Sequence, residues 1–193
     1  NLIVDVGGGT SETALISMGG VVALEAVRVG SFDLDVAIQN FIKKEFGVAI
    51  GERTAEEIKL TIGSASEYEG ELRAEVRGRH ISSGLPEVVV VSPSEIREAI
   101  EEPVSTMVDS VTSCLSKAPP EMAQDIIVQG ISLVGGGSLL KGFDKRLSEE
   151  TDVPVHIVPN ALEAVVLGAG RCIESFESVR AMFMEDPNAR QRR

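Results

Sequence analysis

At 193 residues and 43% hydrophobic content, the chain is long enough to bury one substantial core and to carry a smaller lobe. Thirty acidic against 18 basic residues give a formal net charge of −12, which repels phosphate backbones and argues against nucleic acid as a partner. No apolar run approaches the ~18 residues that a bilayer-spanning helix needs, and no stretch has the make-up of a signal peptide. Cys114 and Cys172 lie too far apart for a redox or metal motif and read as reduced, buried, cytosolic thiols. The chain opens on Asn1 inside a strand pattern with no initiator methionine, so the natural protein is expected to extend upstream.

The N-terminal segment holds β-rich runs at Leu2 to Val6, Thr13 to Met18 and Val21 to Val29, broken at Gly7-Gly8-Gly9 and Gly19-Gly20; this predicts an antiparallel three-strand meander. Leu34, Ile38, Phe41, Ile42 and Phe46 follow at helical spacing and predict an amphipathic helix ending at Gly47. Thr54-Ala55-Glu56-Glu57 reads as a capping box that opens a second helix at Thr54. Glu71 to Val91 alternates loosely between glycines, which predicts a small sheet or hairpin in a side lobe. Ser92-Pro93-Ser94-Glu95 is a second capping box; the helix it opens carries the apolar stripe Ile96, Ile100, Val104, Met107, Val111 and Leu115, with a kink expected at Pro103.

Beyond Pro119-Pro120 the pattern alternates: a short helix from Glu121 to Val128, a strand from Ile131 to Val134, a helix from Ser138 to Glu150, a strand from Val155 to Val158, and a helix from Ala161 to Phe176. Val179, Met182, Phe183 and Met184 extend that helix, and Glu185 to Arg193 reads as a solvated tail. Together these elements predict an α/β fold: one mixed sheet covered by helices and interrupted by a lobe at roughly residues 33 to 92.

Two glycine runs carry candidate chemistry. Asp5-Val6-Gly7-Gly8-Gly9-Thr10 lies between two strands, where glycines at positive φ can turn successive N–H groups toward one anion; Thr10 adds a hydroxyl, and Asp5 is placed to hold a water of a hydrated Mg2+. The same residues also suit a plain glycine hairpin with a partly buried aspartate. Gly135-Gly136-Gly137-Ser138 lies between a strand and a helix, and suits either a second ligand contact at a helix N-terminus or a tight turn capped by Ser138. Neither run is followed by the lysine of a P-loop. Glu56 and Lys59 share one helix face, either as a solvated ion pair or as a ribose acceptor with a lysine beside a base. His80 and His156 show no metal-ligand spacing.

The segments IVDVGGGTSETALISMGG, IGERTAEEIKLTIGSA, ISSGLP, APPEMAQDIIVQGISLVGGGSLLKGFD and EAVVLGAG, in this order and spacing, resemble the MreB/Mbl family of bacterial actin homologues along nearly the whole chain. The resemblance implies the second half of an actin-like ATPase: an RNase H-like mixed sheet with helices on both faces (subdomain IIA, residues 1–32 and 93–193) and an inserted α+β lobe (subdomain IIB, residues 33–92). It further implies ATP and Mg2+ as cofactors. Asp5 would hold the metal through water, and Gly7, Gly8, Gly9 and Thr10 would form a phosphate loop, with Thr10 helping to orient the attacking water. Glu56, Glu57, Ile58 and Lys59 would border the adenosine, and Gly135, Gly136, Gly137 and Ser138 would form the turn on its adenine side.

The other phosphate loop and the catalytic glutamate would belong to an upstream half, so weak or absent ATPase is expected of this chain alone. The implied partners are further copies of the protein in a protofilament, a RodZ-like membrane protein and the cell-wall synthesis machinery. The implied location is the cytoplasm, as filaments held at the inner membrane face mainly by the upstream half. One stretch departs from the family: Ser31-Phe32-Asp33-Leu34-Asp35 stands where the family usually reads Gly-Asp-Glu-Met-Asp. That departure motivates an alternative, a truncated non-catalytic paralogue that docks on filaments or partners. An Hsp70-type chaperone ATPase is a third reading.

Overall fold

The computed structural model describes residues 1–68, 72–177 and 179–180. Alternation of β-branched and aliphatic residues builds the first sheet from β1 (Leu2–Val6), β2 (Ser11–Ser17) and β3 (Gly20–Val27), an antiparallel meander in which Leu2 pairs with Leu15 and Val4 with Thr13. The chain then forms α1 (Ser31–Phe46), β4 (Val48–Ala49), α2 (Glu52–Ile62), β5 (Ala74–His80) and β6 (Pro86–Val91). It returns through α3 (Pro93–Ala99), α4 (Glu101–Ser116), α5 (Ala123–Gln129), β7 (Ile131–Val134), α6 (Phe143–Thr151), β8 (Val155–Ile157) and α7 (Ala164–Glu174).

The main sheet has the order β3-β2-β1-β7-β8, with β7 and β8 running parallel to β1, so it is mixed as the alternation of elements requires. Leu2, Val4 and Val6 of β1 and Ile131 and Leu133 of β7 share its fully buried face, while Ile3, Asp5, Ser132 and Val134 on the other face are partly covered. A second antiparallel sheet, β4-β5-β6, lies within the segment read as a side lobe. One apolar core runs from the main sheet through Leu34, Ile38 and Ile42 of α1 and Ile58 and Ile62 of α2 to Val76 and Val89 of that second sheet. α1 begins at Ser31, so the expected lobe boundary after residue 32 falls within its first turn.

Several local expectations need correction. α2 starts at Glu52, not Thr54: Gly51 is its N-cap, and the Ala55 N–H closes the first helical bond onto the Gly51 carbonyl at 3.1 Å. Thr54 therefore sits inside the first turn and caps nothing, and Glu52 places its carboxylate at the positive helix end. The helix expected from Ser138 is divided into a 3-10 turn (Gly136–Leu139) and α6. Between them Gly142 takes φ 69°, and Lys141 pairs with Ser64 in an isolated parallel bridge, which pulls the chain out of helical geometry.

Pro103 interrupts the long helix at Ile100, the shared end of α3 and α4, because proline has no N–H to give the carbonyl four residues back. The Ser92–Glu95 box forms as expected, with the Ser92 N–H donating to Glu95 Oε2 at 2.8 Å. Cys114 is buried, but Cys172 is only partly so. No helix among the described residues is long and apolar enough to cross a membrane, and no cluster of metal-ligating side chains occurs among them. The expected extension through Met182, Phe183 and Met184, and the tail from Glu185, lie outside the described residues.

Candidate functional site

Because β1 and β7 are parallel neighbours, their C-terminal ends deliver both glycine runs to the same edge of the sheet. Ligands of open α/β sheets bind at such an edge, beyond the carboxyl ends of the strands. A cleft of about 640 Å3 opens there, bordered by Asp5, Gly7 and Gly8 from the first run and by Gly135 to Gly137 from the second. Phe32 of α1, Glu56, Lys59 and Leu60 of α2, and Leu139, Leu162 and Val165 complete its walls.

The first turn is built by its neighbours. The Gly7 N–H bonds the Thr10 carbonyl at 2.9 Å, closing the hairpin. The Gly7 and Gly8 carbonyls accept from the N–H groups of Ser31 and Phe32 at 3.0 and 2.8 Å, so the start of α1 is spent on holding this turn. The amides of Gly8, Gly9 and Thr10 have no backbone acceptor among the described residues. The positive φ expected of Gly7, Gly8 and Gly9 does not occur. Glycine is required here by close approach instead: a β-carbon on Gly8 would come within 2.6 Å of Phe32 Cε2, and one on Gly30 within 2.6 Å of the Gly8 carbonyl oxygen. Gly9 and Thr10 are exposed at the tip.

Asp5 lies half-buried beneath the turn, and its carboxylate accepts no hydrogen bond among the described residues. Desolvation pushes its pKa above the usual carboxylate range. An unpaired acid held half out of water at the cleft edge is a group that a cation would stabilise.

The second turn does use left-handed backbone. Gly135 has φ 83°, and a β-carbon there would run into Asp5 Oδ1 and the Val6 carbonyl. Its N–H is held by the Ala161 carbonyl at 2.8 Å. Ser138 is fully buried and donates its hydroxyl hydrogen to the Gly135 carbonyl at 2.7 Å, so it braces the turn from within and is not the cap of an α-helix. A β-carbon on Gly136 would approach Leu162 Cδ1 to 2.9 Å, which sets the second turn directly against an apolar wall.

On α2 the structure separates the four singled-out residues. Glu56 is exposed and faces the cleft. Glu57 is exposed and ion-pairs with Arg53 at 3.2 Å, and Ile58 is buried in the core. Lys59, with 7% of its side chain exposed, gives its ammonium to the Ser31 carbonyl at 3.0 Å, Ser31 Oγ at 2.7 Å and Asp35 Oδ2 at 2.9 Å. The pair is thus Lys59 with Asp35, buried between α1 and α2, and not a solvated pair with Glu56. Lys59 presents the cleft with little more than its stem. Burial pushes the Asp35 carboxyl up, opposed by the bond and charge of Lys59.

Sequence reasoning did not assign to the site Leu60, Leu139, Leu162 and Val165, which border the cleft and are each more than half exposed, nor the polar Ser31 and Lys141. A cleft with free amides at one side and aliphatic walls at the other has the polarity of a phosphorylated ligand with a flat apolar body.

The family model described as MreB/Mbl protein matches residues 1–181. The chain belongs to the MreB/Mbl family. It is 42% identical over 177 residues to the cell shape-determining protein MreB of Escherichia coli (strain K12), covering 92% of this chain and 51% of that protein. It is 37% identical over 179 residues to the cell shape-determining protein Mbl of Bacillus subtilis (strain 168), covering 93% of this chain and 54% of that protein. The crystal structure of MreB 5 of Spiroplasma citri bound to AMPPNP superposes with a TM-score of 0.87 at 35% identity, covering 92% of this chain and 54% of that one. The fold is therefore the actin-like one, and the chain spans about half the length of the MreB/Mbl relatives it matches.

Proposed function

We propose that this chain is the domain II part of an MreB-type filament protein and forms one wall of an ATP–Mg2+ cleft. The observation that carries the reading is the meeting of two glycine turns, remote in sequence, at one sheet edge, with the Gly8, Gly9 and Thr10 amides free. Those amides and the Thr10 hydroxyl would receive phosphate oxygens, and the unpaired Asp5 carboxylate fits a magnesium-bound water. Glu56 is the ribose acceptor, and Gly135 to Gly137 with Leu162 receive the base; Lys59 borders the cleft with its stem, whereas Glu57 pairs with Arg53 and Ile58 is buried in the core. The bound nucleotide supplies the γ-phosphoryl bond that is cleaved. Thr10 would help to place the attacking water, together with a glutamate from a part of the protein beyond this chain.

The AMPPNP in the Spiroplasma structure, at 35% identity, supports nucleotide binding here. By the same kinship, residues 1–32 and 93–193 (subdomain IIA) and residues 33–92 (subdomain IIB) would supply one side of the longitudinal contact through which the whole protein polymerises. Its filaments would be cytoplasmic and membrane-associated, would hydrolyse ATP slowly, and would act in cell shape with a RodZ-like protein and the wall-synthesis machinery. ATP binding by the full natural polypeptide, measured with Gly8→Val and Gly136→Val, tests the cleft; both variants should lose most affinity, and unchanged binding in both refutes the assignment.

A further inference from the structure

Phe32 is the second residue of α1, and it is 65% exposed although it is a large apolar side chain. Its ring rests on the α-carbon of Gly8, where a β-carbon would come within 2.6 Å of Cε2 and 2.9 Å of Cζ. Its main chain does the opposite service, holding the Gly8 carbonyl at 2.8 Å. Gly8 and Phe32 border the same cleft, so the ring stands over the middle of the turn whose Gly8, Gly9 and Thr10 amides lack a backbone acceptor. The space beside Gly9 is open, so the ring acts at Gly8: an anion bound there shares the space with a benzyl group that offers it no hydrogen bond and displaces its water. With most of its surface in solvent, the ring has little packing to hold it there, and a change of side-chain rotamer moves it aside.

We propose that Phe32 is a movable cover on the phosphate turn: it competes with the ligand's phosphate for the space above Gly8 and so limits how tightly and how fast a phosphorylated nucleoside enters. The inference rests on the nucleotide reading of this cleft. The placement does not supply a platform for the base, because the ring's partner is the amide turn, whereas the aliphatic Leu162 lies against Gly136 at the other turn.

The test is equilibrium and stopped-flow binding of a fluorescent ATP analogue to the full natural polypeptide, its Phe32→Ala and Phe32→Leu variants, and a Gly136→Trp control. Phe32→Ala should lower Kd by about two- to tenfold, the scale of displacing one side chain, with a faster association rate. Phe32→Leu, which keeps a smaller apolar cover and adds no hydrogen-bond donor, should fall between the parent and Phe32→Ala. Weaker binding by Phe32→Ala makes the ring a ligand contact and overturns the proposal, as does an unchanged Kd and association rate. If Gly136→Trp abolishes binding while Phe32→Ala changes nothing, the cover alone is refuted. If neither variant affects binding, or no protein binds, the nucleotide reading of the cleft falls and the cover falls with it.

Discussion

Replacing Lys59 with methionine keeps the length and apolar stem of the side chain and removes only the ammonium. That ammonium, 7% exposed, serves three acceptors, and one of them is an aspartate whose second oxygen, Oδ1, is already buried without a partner. Lys59→Met therefore leaves the Asp35 carboxylate buried with both oxygens unpaired. Breaking one side of a buried ion pair destabilises by about 3–5 kcal/mol. For a chain of this length that corresponds to a fall in Tm on the order of 10 °C. Removing both charges with Lys59→Met/Asp35→Leu should restore most of the loss, because no uncompensated charge remains.

Urea unfolding of the parent, both single variants and the double variant gives the cycle directly. The pH dependence supplies a second check on sign. Burial already raises the Asp35 pKa against the lowering effect of Lys59, so without Lys59 it rises further. The folded state then keeps a proton that the unfolded chain, near 3.8, releases, and the variant regains stability relative to the parent as the pH is lowered toward that value. A loss for Lys59→Met below about 1 kcal/mol, or a double variant that loses the sum of the singles, would refute this account of the network.

Other substitutions test other parts of the molecule. Gly135→Ala forces φ 83° on an L-residue and drives a β-carbon into the Asp5 carboxylate and Val6 carbonyl; it should destabilise by about 1–3 kcal/mol in a thermal melt, and a change within about 0.5 kcal/mol would contradict the close packing of the two turns. Ser92→Ala removes the α3 cap and should cost about 1 kcal/mol. Bonds from the Ser92 hydroxyl and N–H hold Glu95 below its ordinary value of 4.5, so the parent loses stability as the pH falls below that value through the lower folded pKa; the variant should lose less on that acid limb. Ile38→Ala, at a fully buried position of α1, should cost about 2–5 kcal/mol by urea titration without a change in the order of the strands seen by hydrogen exchange.

The strands and helices of the main sheet were legible because their periodicity is local: Leu2, Val4 and Val6 alternate in sequence as they do in burial, and Ser92 and Glu95 are one turn apart in both. The shared place of the two glycine runs was implied only by the family resemblance, because no local pattern says that β1 and β7 are parallel neighbours. What escaped was decided between segments. Thr54 reads as a cap in sequence, but the helix begins earlier, with Gly51 as its N-cap and the Gly51 carbonyl accepting from the Ala55 N–H. The proper partner of Lys59 was invisible because Asp35 lies on another helix, and a neighbour at helical spacing, Glu56, looked like the natural mate. The run from Gly7 to Gly9 suggests dihedral freedom, whereas the structure needs glycine at Gly8 for room against Phe32 and at Gly30 for room against the Gly7 and Gly8 carbonyls.

The carbonyls of Gly7 and Gly8 are fastened to the first amides of α1, and α1 is fastened to α2 by Ser31, Asp35 and Lys59. The turn at one end of the cleft and Glu56 at the other are therefore two points on a single braced frame. Their separation is fixed by how two helices pack, not by the slack of a loop, so a ligand that spans them meets a ruler of set length. By the same coupling, a pull on α2 from outside the cleft is felt at the glycine turn.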